Sequence, residues 1–150
     1  MPANDEVHEL RDAVKLAKID FIEISCSQPG ADHRLDEEFE DLDEGEANIQ
    51  FGQDLSPDGN VRHRGRVRAL GKGGRQIFIE VGAGYTWISK RDFDSDAYDR
   101  FLQEYGIDLL LPYLREGVAS FSARLGMTTG MLPILDKSEL ELTDGALSST

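Results

Sequence analysis

A strictly alternating segment from Val61 to Leu70 constrains the fold more than any other part of the sequence. Successive side chains of a strand point to opposite faces, so the alternation places one set of residues on each face. One face carries a row of arginines, Arg62, Arg64, Arg66 and Arg68. Glycines in residues 71–74 predict a hairpin into a second strand, residues 76–89. The two strands are therefore expected to pair antiparallel, with the arginines on the polar face of the sheet.

The remaining segments predict two more strands and three helices. Residues 19–27 are rich in β-branched and aromatic residues. Residues 47–55 place Ile49, Phe51 and Leu55 on one side, and a Pro-Asp-Gly turn follows them. Helical spacing predicts helices over residues 5–18, over residues 95–105 with Gly106 as the end, and from about Ile107 onward. Strands followed by helices predict an α+β fold, with a four-stranded antiparallel sheet and helices packed on one face.

The 150 residues predict one domain with irregular segments. Residues 1–18 form an N-terminal helix or extension, and residues 19–135 form the domain. Within it, residues 32–46 are strongly acidic and predict a mobile loop. Residues 136–150 predict a short acidic tail without regular structure.

Composition argues against several classes of function. The net charge of −13 repels phosphate backbones and anionic lipids. The start of the chain is polar and acidic where a secretory signal needs a basic start and an apolar run, and no stretch has the length of a membrane span. Cys26 is the single cysteine, so an intrachain disulfide is excluded. We expect a cytoplasmic protein that binds neither nucleic acid nor membrane.

Catalytic patterns are also missing from the sequence. His8, His33 and His63 lie in separate segments without metal-ligand spacing. Cys26 lies in a predicted strand, where a buried, inert side chain is the ordinary role, and no base is matched to it. The glycines of residues 71–74 and 82–84 are not followed by helices, as a phosphate loop requires. We expect no enzyme, no cofactor and no metal.

The arginine row allows two interpretations. Four arginines on one strand face are too many to bury without partners. They dock an acidic partner or RNA, or they pair across strands with Asp20, Glu23, Glu80 or the acidic loop. The net charge favours cross-strand pairing.

Three stretches resemble the SecB-type export chaperones. They are Ile77–Ile88, which looks like the last strand of that family, residues 105–116 with the core Pro-Tyr-Leu-Arg-Glu, and residues 131–134. The resemblance implies a four-stranded sheet with helices on one side, assembly as dimers of dimers, and ATP-independent holding of unfolded polypeptides for export. Some SecB-like proteins instead hold the antitoxin of a toxin–antitoxin system, and that role stays open.

The resemblance also implies two sites. A groove for apolar client segments maps to aromatic and methionine side chains, which make adaptable surfaces: Tyr85, Trp87, Phe93, Tyr98, Phe101, Tyr105, Met127 and Met131. A face that docks the SecA motor maps to Asp20, Glu23, Phe78 and Glu80. The arginine row beside that face, and the short segment after Leu135, depart from the family pattern.

Two alternatives from other classes remain. A small-ligand or enzyme pocket would be lined by Tyr85, Trp87 and Tyr113. An adaptor would instead use the arginine row to bind one acidic partner.

Overall fold

The computed structural model describes residues 3–27, 42–126, 141–143 and 146–148. Helix α1, Ala3–Ala13, leads directly into strand β1, Val14–Ser27. Strands β2, Ala47–Leu55, β3, Val61–Leu70, and β4, Gln76–Trp87, follow. Helices α2, Ser95–Phe101, and α3, Ile107–Arg124, are joined by a π-helical turn, Leu102–Gly106. Strands β5, Glu141–Thr143, and β6, Ala146–Ser148, come last.

The strands form one antiparallel sheet in the order β1-β4-β3-β2-β6-β5. The first four are the predicted strands, and their pairing confirms the predicted α+β fold. Strands β5 and β6 extend the sheet beyond β2. They lie in the segment for which the sequence predicts an irregular tail, so part of that segment has paired backbone. The predicted domain boundaries remain a prediction.

One face of the sheet packs on α3 and holds the core. Alternation along β3 and β4 buries Val61, Val67, Ile77, Ile79 and Val81 almost completely, as the sequence predicts. Helix α3 supplies the facing side chains, Ile107, Leu110, Leu114 and Val118. The opposite face carries the arginines, and we call it the open face.

Helix α1 is shorter than the sequence predicts. It ends at Ala13 and not at residue 18, and β1 begins at Val14, five residues before the predicted start. The cause is pairing with β4, because Val14 is in register with Trp87 and the carbonyl of Ala13 accepts hydrogen bonds from the amides of Ile88 and Ser89. Strand pairing therefore outweighs the local helical spacing of residues 14–18.

Gly106 does not end a helix, which corrects a second prediction. Its backbone is right-handed helical, with φ −65° and ψ −41°, and helical structure continues from Ser95 to Arg124. Glycine is needed there for space, because a Cβ atom would collide with the ring of His63. The helix thus approaches β3 at a point where only a hydrogen fits.

The predicted acidic loop, residues 32–46, lies mostly outside the described residues. Its last residues are held against the β3–β4 hairpin. The amide of Gly45 donates to the carbonyl of Leu70 at 2.7 Å, and the amide of Gly73 donates to the Glu44 carboxylate at 3.2 Å. The end of the loop is therefore fixed to the sheet.

Candidate functional site

Aromatic side chains from β4, α2, the segment between them and the π turn form two groups of contacting rings, which together we call the aromatic layer. Its inner part comprises Tyr85, Phe101 and Tyr105, which we call the inner cluster. The Tyr85 and Phe101 rings lie 5.2 Å apart and the Phe101 and Tyr105 rings 5.7 Å apart. Tyr85 and Phe101 are buried, so these two predicted groove residues serve as core in this structure.

His63 completes the inner cluster. Its ring lies 4.9 Å from Tyr85 and 4.8 Å from Phe101, edge to face, and the side chain is fully buried. Within the described residues neither ring nitrogen has a hydrogen-bond partner. Burial lowers the pKa of His63 from 6.5 to about 3 and raises the pKa of Tyr85 to about 12. Both groups are therefore uncharged at neutral pH, which suits an apolar layer.

The outer part of the layer comprises Trp87, Phe93 and Tyr98, which we call the outer trio. The Trp87 and Phe93 rings stack at 6.2 Å, and the Tyr98 ring meets Phe93 edge-on at 6.2 Å. All three are partly exposed. The Trp87 indole donates a hydrogen bond of 2.8 Å to the carbonyl of Gly59, which fixes the ring direction. Among the predicted groove residues that the structure describes, the trio and Tyr105 are partly exposed.

Helix α1 borders the aromatic layer through polar contacts. Arg11 donates to the Tyr105 hydroxyl at 3.0 Å, and Glu9 pairs with Arg91 at 3.0 Å. The Arg91 guanidinium in turn lies 5.1 Å from the centre of the Phe93 ring. Cations thus cover part of the aromatic surface and leave the rest accessible. Met127 and Met131, the other two predicted groove residues, lie outside the described residues.

The predicted motor-docking residues do share the open face. In register, Asp20 lies beside Gly82, Glu23 beside Glu80, and Ser25 beside Phe78. Positive charge neutralises much of this patch: Lys18 pairs with Asp20 at 3.1 Å and Arg66 with Glu80 at 3.8 Å. Phe78 is buried, with the Arg66 guanidinium 5.9 Å from its ring centre.

The arginine row pairs across strands, as the net charge favours. Arg62 binds Asp54 with two hydrogen bonds of 3.1 and 2.6 Å, and Arg64 reaches the same carboxylate at 3.2 Å. Arg68 donates to Asn48 at 2.9 Å. Glu80 was among the expected partners, whereas Asp54 was not. The missed signal is the position of Asp54 on β2, where the Pro-Asp-Gly turn sets the register with Arg62.

An exposed apolar strip on β1 was also missed by sequence reasoning. β1 is an edge strand of the sheet, and its exposed large side chains are Leu16, Phe21, Ile22 and Ile24. Phe21 meets Tyr113 of α3 edge-on at 6.4 Å. Cys26 is exposed and not buried as expected, because the edge lacks a neighbouring strand among the described residues. Apolar residues on both faces of β1 were the available signal.

Neither the small-ligand pocket that the sequence suggests nor a metal site within the described residues gains support. Tyr113 neighbours Phe21, whereas Tyr85 neighbours Phe101 and Trp87 neighbours Phe93, so the residues of the predicted small-ligand pocket have different surroundings. Residues 3–27 and 42–126 contain no group of three His, Cys, Asp or Glu side chains placed to hold a metal. None of the helices described here combines the length and apolarity needed to cross a bilayer.

Comparison with known proteins gives two similar chains. Over 81 residues the sequence is 32% identical to the SecB-like chaperone SmegB of Mycolicibacterium smegmatis. The match covers 54% of this chain and 55% of SmegB, so the chain spans about half the length of the curated relative. No family model matches the sequence.

The fold is similar to the Mycobacterium tuberculosis Rv1957 SecB-like chaperone, solved in complex with a ChAD peptide from the Rv1956 HigA1 antitoxin. The TM-score is 0.62 over 89% of this chain and 96% of that one, at 16% sequence identity. Both comparisons confirm the resemblance to SecB-like chaperones that the sequence suggests.

Proposed function

We propose that this chain is an ATP-independent chaperone that holds unfolded polypeptides. Its fold is similar to that of a SecB-like chaperone, and 81 of its residues align with the sequence of another. The outer trio carries the proposal, because it presents partly exposed aromatic rings beside a rigid core. Such rings bury apolar client side chains at about 25 cal/mol per Å², without selecting one sequence. Holding a chain in this way needs no acid, base or nucleophile.

The experiment that tests this proposal measures, by light scattering, the aggregation of a reduced, unfolded client in the presence of a near-stoichiometric amount of the protein. Replacing Trp87, Phe93 and Tyr98 together by alanine should abolish most of the protection, because the aromatic surface of the outer trio is lost. The matched control is Ile88→Ala, which removes an apolar side chain that is 65% exposed and lies next to the trio in sequence. Protection should survive in the control.

Two results would contradict the proposal. One is a wild-type protein that fails to slow the aggregation of any client. The other is a folded triple variant, with an unchanged circular dichroism spectrum, that protects as well as the wild type. The single variant Phe93→Ala, at a partly exposed position, keeps the test valid if the triple variant does not fold.

The client remains to be assigned between exported proteins and an antitoxin. Binding of an antitoxin peptide by the structurally similar Rv1957 protein supports the antitoxin alternative. Neutralisation of Asp20 and Glu80 on the open face weighs against recognition of an acidic patch by the SecA motor. Affinities for a panel of unfolded proteins separate the two roles: similar values support a general export holdase, and one dominant partner supports a dedicated antitoxin chaperone.

We further propose a cytoplasmic homo-oligomer. The exposed apolar strip of Leu16, Phe21, Ile22 and Ile24 lies along an edge strand, which natural proteins rarely leave uncovered in solution. A second copy that covers this edge would remove it from water.

A further inference from the structure

The middle of the open face has a trough that the groove function does not use. Arg64 of β3 is in register with Gly52 of β2 on one side and Gly82 of β4 on the other. Directly opposite neighbours normally cover each other, but glycine has no side chain to do so. A Cβ atom added at Gly52 would have nothing within 4 Å, so the space above it is open, whereas the Ile22 side chain fills the space above Gly82 and would lie 2.8 Å from a Cβ there. Glycine inside a strand often marks such a close approach of a ligand or backbone.

Two depressions adjoin in this trough, one on each side of Arg64. The first, of about 220 Å³, is lined on the open face by Gln50, Gly52, Asp54, Arg64, Arg66 and Glu80. The second, of about 280 Å³, is lined on the open face by Lys18, Asp20, Ile22, Arg62, Arg64, Gly82 and Gly84. Arg64 is common to both. Together they extend along β3 past Arg62, Arg64 and Arg66.

Basic side chains exceed acids by one in the lining of the two depressions, with Lys18, Arg62, Arg64 and Arg66 against Asp20, Asp54 and Glu80. Arg62 and Arg64 share the single carboxylate of Asp54, and the closest Arg66–Glu80 approach is 3.8 Å, beyond hydrogen-bond length. The Arg64 and Arg66 side chains are 42% and 43% exposed. Both guanidiniums therefore keep donors for an incoming acceptor. Their planar, forked donors match carboxylates in particular.

The spacing of the arginines defines the shape of the ligand. Alternate residues of a strand are about 6.6 Å apart, so Arg62, Arg64 and Arg66 repeat at that interval along β3. An extended peptide has the same interval between its own alternate side chains. A segment that runs along β3 with carboxylates at every second residue can thus meet successive guanidiniums while its backbone lies over the depression beside Gly52.

We propose that this trough docks an extended acidic polypeptide segment with carboxylates on alternate residues. The surface is separate from the aromatic layer, since the two lie on opposite faces of the sheet. A partner held there leaves the groove free for a client. The acids Asp20, Asp54 and Glu80 disfavour a nucleic acid, because its backbone charges cannot be interrupted by neutral residues where they would meet these carboxylates.

Fluorescence anisotropy with labelled nine-residue peptides tests the proposal on the full chain. The probe alternates glutamate and threonine, and the control peptide alternates glutamine and threonine. We expect the glutamate peptide to bind at 50 mM NaCl and to weaken clearly at 300 mM. Combined Arg64→Gln and Arg66→Gln substitutions should weaken binding about tenfold or more, because two charge-assisted contacts are lost. Arg75→Gln, in the hairpin turn, is the matched control and should change binding less than about twofold.

A second variant separates the shape of the trough from its charge. Gly52→Val keeps every arginine, places a good strand former where the Cβ has free space, and fills the depression. It should weaken the glutamate peptide about as much as the arginine variant, while protection of an unfolded client stays at the wild-type level.

Three results would overturn the proposal. Equal binding of the glutamate and glutamine peptides would remove the role of charge. Full binding by Gly52→Val would remove the role of the trough. A nine-nucleotide uridine oligomer that binds more tightly than the glutamate peptide, and loses affinity in the same variants, would assign the trough to RNA.

Discussion

At the scale of single residues, the alternation along β3 predicted which side chains enter the core, and the structure confirms it. His63 and the arginines lie on opposite faces as expected. The partners of those side chains could not be predicted, since Asp54 reaches two arginines only through the register of β2 and β3. Register depends on turn geometry and on the whole sheet, so local sequence carries little of it.

His63 should make stability depend on pH. Its folded-state pKa is about 3 and its ordinary value is 6.5, so the unfolded chain binds the proton more readily. Stability is then complete above about pH 6.5 and is lost as the pH falls toward 3, by up to about 1.4 kcal/mol per pH unit. Urea unfolding at pH 7.5 and pH 5 should show a smaller loss for His63→Leu than for the wild type. The exposed His8 is the control, and His8→Gln should keep the wild-type slope.

Replacing Gly106 by alanine can raise or lower the stability, depending on whether the glycine is needed for space beside His63. Alanine normally favours a helix interior over glycine by about 1 kcal/mol. Here the added methyl group meets the His63 ring, and such overpacking costs about 1–3 kcal/mol, so Gly106→Ala should destabilise. Combining it with His63→Ala should cost less than the sum of the two single changes, measured in a double-mutant cycle by urea unfolding. A stabilised Gly106→Ala variant would contradict the close approach.

At the scale of elements, the kinds of helices and strands were predictable and their ends were not. β2 has the predicted limits, because its alternation is bounded by a proline–glycine turn. Two predicted boundaries were wrong. The boundary between α1 and β1 depends on pairing with β4, and the continuation of α2 into α3 depends on the contact of Gly106 with His63. The predicted groove residues include the partly exposed outer trio, but the sequence alone could not distinguish the trio from the buried Tyr85 and Phe101.

The helix join changes the role of Pro112. In a helix that continues from Ser95, this proline lies in the interior and not near a start, so it lacks one backbone hydrogen bond at a cost of about 3 kcal/mol. Pro112 is exposed, and its replacement removes little packing. We expect Pro112→Ala to raise the free energy of unfolding by about 1–3 kcal/mol. A loss of stability in urea unfolding would show instead that packing on the sheet requires the proline.

At the scale of the whole molecule, the four-stranded sheet with helices on one face was predictable, because the order of segments and their periodicities leave few arrangements. Assembly into an oligomer stays a prediction that rests on the resemblance. The exposed strip on β1 supports it, because among the described residues β1 is an edge strand that carries exposed apolar area.

Charge on that strip should therefore change the mass of the particle. Phe21→Asp places a carboxylate at a position that is 48% exposed beside Tyr113, so it should cost the monomer little and disrupt a contact between copies. Light scattering coupled to size exclusion should report a shift from oligomer to monomer. Leu55→Asp, at a residue that is 49% exposed at the end of β2, is the matched control and should keep the wild-type mass. Unchanged mass for Phe21→Asp would exclude this edge as the contact.

The π turn also limits which changes of length the gene can accept. A π-helical turn contains one residue more than an α-helical turn needs, and each residue of an α-helix rotates the chain by about 100°. Deletion of one codon within Leu102–Gly106 would restore a regular helix but rotate α2 against α3 by that angle. Phe101 would then leave His63, and the helical segment could not keep both its halves on the sheet. Single-codon deletions should be rejected here, although the sequence predicts only a helix end at Gly106.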